Sequence, residues 1–250
     1  MKINIWDWYP IFLKEMIIFK RKLFKLGYLL SAMVVPIIYL IVFGFGLGRS
    51  VQISSQDYLN FLIPGLVAMS SMTNSYNWIV NSINLGRLYF KTFQIFIQAP
   101  ISFFHIILGE VFSGMIKGFF AAFLIILVGI LTSSKNFITL PFLIALFLNC
   151  FLFASLGFNV GLISKGHEET ATYSNFFILP MAFFCGTFFP LDRIPYIFKP
   201  IIYILPLTHT NILIRKSFLD KEALISLFVL ISYSIFLFVL GVRFMKQYSE

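Results

Sequence analysis

The sequence predicts an all-α integral membrane protein: six transmembrane helices, an N-terminal interfacial amphipathic helix, and a re-entrant outer hairpin between helices five and six. Three observations predict it. Charged residues make up 12% of the chain, against roughly 25% in a soluble domain. Six apolar runs reach spanning length, and the Lys and Arg residues gather between those runs rather than in one solvated patch. With 59% hydrophobic residues and a mean hydropathy of +0.91, no aqueous fold hides the apolar surface, so the excess faces lipid.

The N-terminal segment, 1–26, interleaves Trp6, Trp8, Ile11, Phe12 and Ile17 with Lys14, Glu15, Lys20, Arg21, Lys22 and Lys25. With no small-residue cleavage site ahead of the first apolar run, this is not expected to be a signal peptide. It reads as a helix lying in the cytoplasmic headgroup region, tryptophans at the interface and lysines on anionic lipid. A plain flanking charge cluster is the competing reading.

The apolar runs fall at about 28–48, 59–80, 102–131, 138–163, 171–189 and 222–242. Each approaches or exceeds the ~20 residues that cross a ~30 Å hydrocarbon core. No internal repeat or low-complexity linker divides them, so 1–250 is expected to be a single domain. Basic residues are densest before the first run, which places the N-terminus in the cytoplasm, and six spans return the C-terminus there. Within 190–216, the stretch YIFKPIIYILPL is apolar but too short to cross, and Pro200 and Pro206 interrupt it. It reads as re-entrant or interfacial; a seventh span is the alternative.

Polar residues inside the runs are the candidate functional groups. Ser70, Asn74, Asn77 and Asn81 share one face of the second helix. Amides there require protein or water, and two uses compete: hydrogen bonds to neighbouring helices, or lining a path for a polar substrate. Glu110 and Lys117 lie two turns apart in the third run, at about 10.5 Å of rise, too far to pair directly. Each needs a separate partner, and a functional and a structural role are both open.

Other chemistries are excluded. The net charge of +9 is explained by lipid phosphates and topology better than by nucleic acid. His105, His167 and His209 are scattered and show no metal-ligand spacing, and Cys150 and Cys185 read as buried thiols. No Gly-rich phosphate loop, G-x-S-x-G or H-E-x-x-H is present, so the chain is not expected to be an enzyme. A secondary transporter or channel calls for carboxylate relays or inverted repeats, and the spans hold Glu110 alone and no repeat.

Three stretches resemble the membrane subunit of ABC-2 type exporters. The residues 184–219, FCGTFFPLDRIPYIFKPIIYILPLTHTNILIRKSFL, look like the family's late signature, including Pro190, Asp192, Arg193, Pro195, Pro206, Thr208, His209 and Arg215. The residues 61–77, FLIPGLVAMSSMTNSYN, are similar to its Pro-Gly stretch and polar second helix, and QAPIS at 98–102 with Gly109 resembles the entry to its third span. The acidic residue that many relatives carry before that turn is absent here.

The resemblance implies a permease that works as a dimer, here a homodimer, in a bacterial-type plasma membrane or an organelle membrane of that origin. It implies a separate cytoplasmic ATPase that binds ATP and Mg, leaving no cofactor in this chain. That ATPase docks on the first cytoplasmic loop, which maps to 84–99 with Arg87, Tyr89, Phe90, Lys91, Phe93 and Phe96. The implied cargo is a lipid-linked glycan, a lipid or an amphipathic drug; the late signature looks closest to the lipo-oligosaccharide and drug branches.

Overall fold

A computed structural model describes residues 6–23, 26–47, 55–132 and 137–248. Lys2, Lys25, Arg49 and Lys135, which entered the charge distribution, and the tip of the first apolar run at 48 lie outside the described residues. The described chain is helical, with no strand among the described residues.

Helix α1 (Tyr9–Leu23) is followed by α2 (Leu26–Tyr39), which holds Pro36 and continues as a π-helical turn over Leu40–Leu47. Next come α3 (Ser55–Asn84), a π turn over Leu85–Tyr89, α4 (Thr92–Gln98), α5 (Phe103–Thr132), α6 (Leu140–Ile163) and α7 (His167–Phe184). Two 3-10 turns, Leu191–Arg193 and Tyr196–Phe198, lead into α8 (Lys199–Ile204), α9 (Pro206–Leu213) and α10 (Lys221–Gln247).

Among the described residues three helices, α5, α6 and α10, are long and apolar enough to cross a membrane. The other expected spans fall short for local reasons. The Ser and Asn face lowers the hydropathy of α3, α7 opens on His167, Glu168 and Glu169, and α2 is short before its π turn. Helix α7 also ends at Phe184, five residues before the end of the expected run. Gly186 takes a φ of 78°, a left-handed conformation that glycine adopts without steric cost, and Pro190 follows.

Helix α3 forms the spine, packed along its length against α5 and α6, with α10 on the far side of α6. Small residues allow the close approach. A Cβ at Gly157 would come within 2.6 Å of the Tyr76 carbonyl oxygen, and one at Gly161 within 2.8 Å of Ile83 Cβ. This Gly-x-x-x-Gly pair lets the α6 and α3 backbones meet, a route to helix packing that needs no hydrophobic driving force. Thr139 starts α6 by accepting the Phe142 N–H at 3.3 Å, satisfying one of the helix's unpaired first-turn donors.

Polar bonds seal the core. Asn149 on α6 donates to the Ala68 carbonyl at 3.0 Å and the Ser71 hydroxyl at 2.8 Å, and accepts from Thr210 of α9 at 3.0 Å. Helix α1 lies across α5 and α3 with Ile11, Glu15 and Phe19 facing inward.

Candidate functional site

The polar face of α3 divides along its length. Ser70 is buried, and Asn74 donates to its carbonyl at 2.9 Å. Asn77 and Asn81 are exposed, Asn81 donating to the Asn77 carbonyl at 2.7 Å. Asn74, Asn77 and Asn81 line a cavity of about 820 Å³ together with Lys14, Glu15 and Lys22 of α1. Asn74 and Asn77 also line a second cavity of about 390 Å³, shared with Thr73, Ser174 and Asn175 between α3, α2 and α7. One amide row therefore joins two open spaces. Ser70 belongs to the packed end of the same face.

Glu110 and Lys117 find separate partners, both through α1. Lys14 donates to Glu110 at 3.3 Å and pairs with Glu15 at 3.0 Å. Burial opposes the Lys14 ammonium, but Glu110 and Glu15 outweigh it and hold Lys14 above the ordinary lysine range. Lys117, 1% exposed, lies 3.4 Å from the centroid of the Phe19 ring and 3.7 Å from that of Trp78, a cation–π arrangement. Its ammonium has no hydrogen-bond acceptor among the described residues.

Glu15 organises this cluster and escaped the sequence reading. It is 1% exposed and accepts the Trp78 indole N–H at 2.7 Å and the Ser82 hydroxyl at 2.8 Å. In the sequence it is one charge among basic neighbours. The signal that could have found it is its position between Ile11 and Phe19 at four-residue spacing, on the apolar face of an amphipathic helix.

The six loop residues separate into two groups. Tyr89 and Phe90 are 65% and 70% exposed. Lys91 is exposed with a φ of 51°, an uncommon left-handed conformation for a non-glycine residue that turns the chain into α4. Arg87 points inward. Its guanidinium donates to the carbonyls of Gly161 at 2.7 Å, Leu162 at 2.5 Å and Ser164 at 3.1 Å, and to the Tyr248 hydroxyl at 2.8 Å. Those carbonyls end α6, where a cation meets both unpaired acceptors and the negative end of the helix dipole. Phe93 is buried against Tyr248, ring centroids 5.9 Å apart, and Phe96 lies under Lys14 at 4.8 Å.

The segment 190–216 also divides. Pro190 and Pro195 precede the two 3-10 turns, where Asp192 and Arg193 are exposed. From Pro206 onward the residues are packed. Thr208 donates to the Ile202 carbonyl at 2.6 Å, and His209 lies 2.9 Å from the Tyr203 carbonyl and 3.3 Å from the Ser226 hydroxyl. Arg215 reaches the carbonyls of Phe61, Asn211 and Thr187 and sits 4.0 Å from the centroid of the Phe61 ring. No group of His, Cys, Asp or Glu among the described residues has metal-binding geometry.

The sequence matches known proteins over most of its length. The chain is 27% identical over 220 residues to Nodulation protein J of Sinorhizobium fredii, covering 87% of this chain and 83% of that protein. It is 26% identical over 228 residues to Nodulation protein J of Bradyrhizobium diazoefficiens, covering 89% and 85%. It is 26% identical over 191 residues to the Inner membrane transport permease YadH of Escherichia coli K12, covering 73% and 72%. The family described as ABC-2 type transporter matches residues 10–219, most of the chain, and this protein is a member of that family.

Proposed function

We propose that this chain is the permease subunit of an ATP-driven exporter, a single domain working as a homodimer in a bacterial inner membrane with both termini cytoplasmic. Six spans form each subunit: α2 with its π turn, α3, α5, α6, α7 and α10. The segment from Pro190 to α9 is a re-entrant outer hairpin. A separate cytoplasmic ATPase binds ATP and Mg, and the cargo is a lipid-linked glycan, a lipid or an amphipathic drug.

The observation that carries the reading is the amide row of α3, because Asn74 and Asn77 border both cavities. Amides at membrane depth are tolerated where they meet protein or water, and here they border open space from the α1 end of the bundle toward α2 and α7. Tyr89, Phe90 and Lys91 form the surface on which the ATPase docks. Force applied there passes through Arg87 to the end of α6 and through Phe93 and Tyr248 to the end of α10.

The test is a search of the neighbouring reading frames for an ATPase with a Walker motif, co-purification with it, and reconstitution. The expected result is a stable complex whose ATP turnover falls about tenfold when Tyr89 and Phe90 are both replaced by Ala, since exposed aromatics anchor interfaces. No complex with any ATPase, together with transport driven by an ion gradient, would assign the chain to secondary transporters or channels instead.

A further inference from the structure

We propose that the 820 Å³ cavity beneath α1 binds an amphiphile with an anionic headgroup, held by Lys22, Lys14 and the amides of Asn74, Asn77 and Asn81. This rests on the exporter reading and names the class of molecule received at the inner end of its path.

The wall of the cavity has two halves. Lys14, Lys22, Asn74, Asn77 and Asn81 supply ammonium and amide donors, whereas Ile18, Trp78, Leu85, Leu88 and Phe90 supply an apolar side. A headgroup and the start of a chain each meet matching chemistry. The volume lies within the ~300–1,000 Å³ of sites that enclose small ligands.

Charge balance selects the sign of the headgroup. Around Trp78 stand two ammonium groups of α1, Lys14 and Lys22, and the carboxyl groups of Glu15 and Glu110. Glu15 is engaged by Trp78, Ser82 and Lys14, and Glu110 by Lys14. Among the described residues no carboxylate pairs with Lys22, whose ammonium lies 4.7 Å from the centroid of the Trp78 ring. Lys22 is exposed at the rim of the cavity, so its ammonium faces the open space without a carboxylate partner. An anion supplies that partner, and a cation or a neutral group does not.

Position gives the site a use. Asn74 and Asn77 belong to both cavities, so a headgroup seated on Lys22 already touches the first rungs of the amide row.

The experiment measures binding calorimetrically to the full chain, purified in a neutral maltoside detergent, with no ATPase present. The probes are dodecyl phosphate, inorganic phosphate and dodecylphosphocholine. Dodecyl phosphate is expected to bind saturably, and Lys22→Gln to weaken it about tenfold, the scale of one charge-assisted contact. Asn77→Leu weakens it in the same direction, and Arg21→Gln, beside Lys22 but off the cavity wall, leaves it unchanged. The proposal is overturned if dodecylphosphocholine binds equally well, if Lys22→Gln binds as the unmodified chain does, or if Arg21→Gln loses as much as Lys22→Gln. Equal binding of inorganic phosphate overturns the amphiphile and leaves a free-anion site. Loss of the site with ATP-driven transport intact rejects this inference alone; a chain that binds dodecyl phosphate but associates with no ATPase keeps the site and rejects the exporter.

Discussion

Glu15 of α1 accepts the indole N–H of Trp78 on α3 at 2.7 Å, so the helix expected to lie in the headgroup layer is also hydrogen-bonded to the bundle. The same carboxylate holds Ser82 and Lys14, and Lys14 reaches Glu110 of α5. Three helices meet at the Lys14–Glu15 pair, and α1 is placed to follow any movement of α3 or α5.

Replacing Glu15 by Ala removes the acceptor of the Trp78 N–H and the Ser82 hydroxyl and leaves the Lys14 ammonium with Glu110 alone. The expected loss is about 2–4 kcal/mol, the range for removing one member of a largely buried charged cluster. Glu15→Gln keeps an acceptor for Trp78 and loses less. Thermal unfolding in detergent checks the order: Ala below Gln, and Gln below the unmodified chain. Equal melting temperatures for all three would mean that α1 is not held by this carboxylate.

Arg87 and Tyr89 are two residues apart and predict opposite phenotypes. Arg87→Ala leaves the Gly161, Leu162 and Ser164 carbonyls uncapped and is expected to cost about 2 kcal/mol. Arg87→Lys retains the charge but not the fork that reaches several acceptors at once, and recovers only part of the loss. Tyr89→Ala and Phe90→Ala remove exposed rings, and stability stays within about 0.5 kcal/mol. Unfolding measurements on the four variants separate them. A stable Arg87→Ala protein would count against the α6 cap.

The contrast between those two residues shows what was legible in the sequence. Runs 102–131, 138–163 and 222–242 anticipate α5, α6 and α10 to within a few residues, because continuous apolar character at spanning length is a local property. The shared face of Ser70, Asn74, Asn77 and Asn81 was legible for the same reason, since helical spacing alone sets it. The direction of Arg87 was not, because its acceptors lie more than 70 residues away on α6. Asn149 passed unnoticed inside an apolar run; a lone amide there signals a buried partner, and it bridges α3 and α9. The early stop of α7 depends on the backbone conformation of Gly186, which apolar run length does not report.

Gly157→Ala tests the α3–α6 contact. The added methyl group would meet the Tyr76 carbonyl oxygen at 2.6 Å and Tyr76 Cα at 3.2 Å, and a backbone neighbour has no rotamer through which to yield. The expected cost is about 1–3 kcal/mol, as for overpacking elsewhere. Gly27→Ala is the control, because among the described residues nothing lies within 4 Å of its added Cβ, and it shifts stability by no more than about 0.5 kcal/mol. Melting temperatures that fall equally in both variants would rule out close approach as the cause.

Asp220 gives a pH dependence whose sign can be worked out. It caps α10 by accepting the Ala223 N–H at 2.8 Å and pairs with Lys216 at 2.7 Å. The Lys216 ammonium, then the Ala223 N–H, hold the Asp220 carboxyl below its ordinary range. A folded value below the unfolded one, about 3.9, means that folding favours the ionised form. The contribution is complete above about pH 4 and is lost as pH falls through the lower folded value. Lys216 runs the other way. Asp220 and then Glu222 raise it, so its contribution is complete below the ordinary lysine value, about 10.4, and is lost as pH rises through the higher folded one. Hydrogen-exchange protection in the first turn of α10 is therefore expected to decline on acidification below about pH 4. In Asp220→Asn, whose amide still caps the helix but cannot ionise, that acid-dependent decline is absent. In Lys216→Met the decline is smaller and is complete at a higher pH, because the largest influence lowering the Asp220 carboxyl has been removed and its folded value lies closer to the unfolded one. A decline of unchanged size and end point in Lys216→Met would assign the depression to the cap alone.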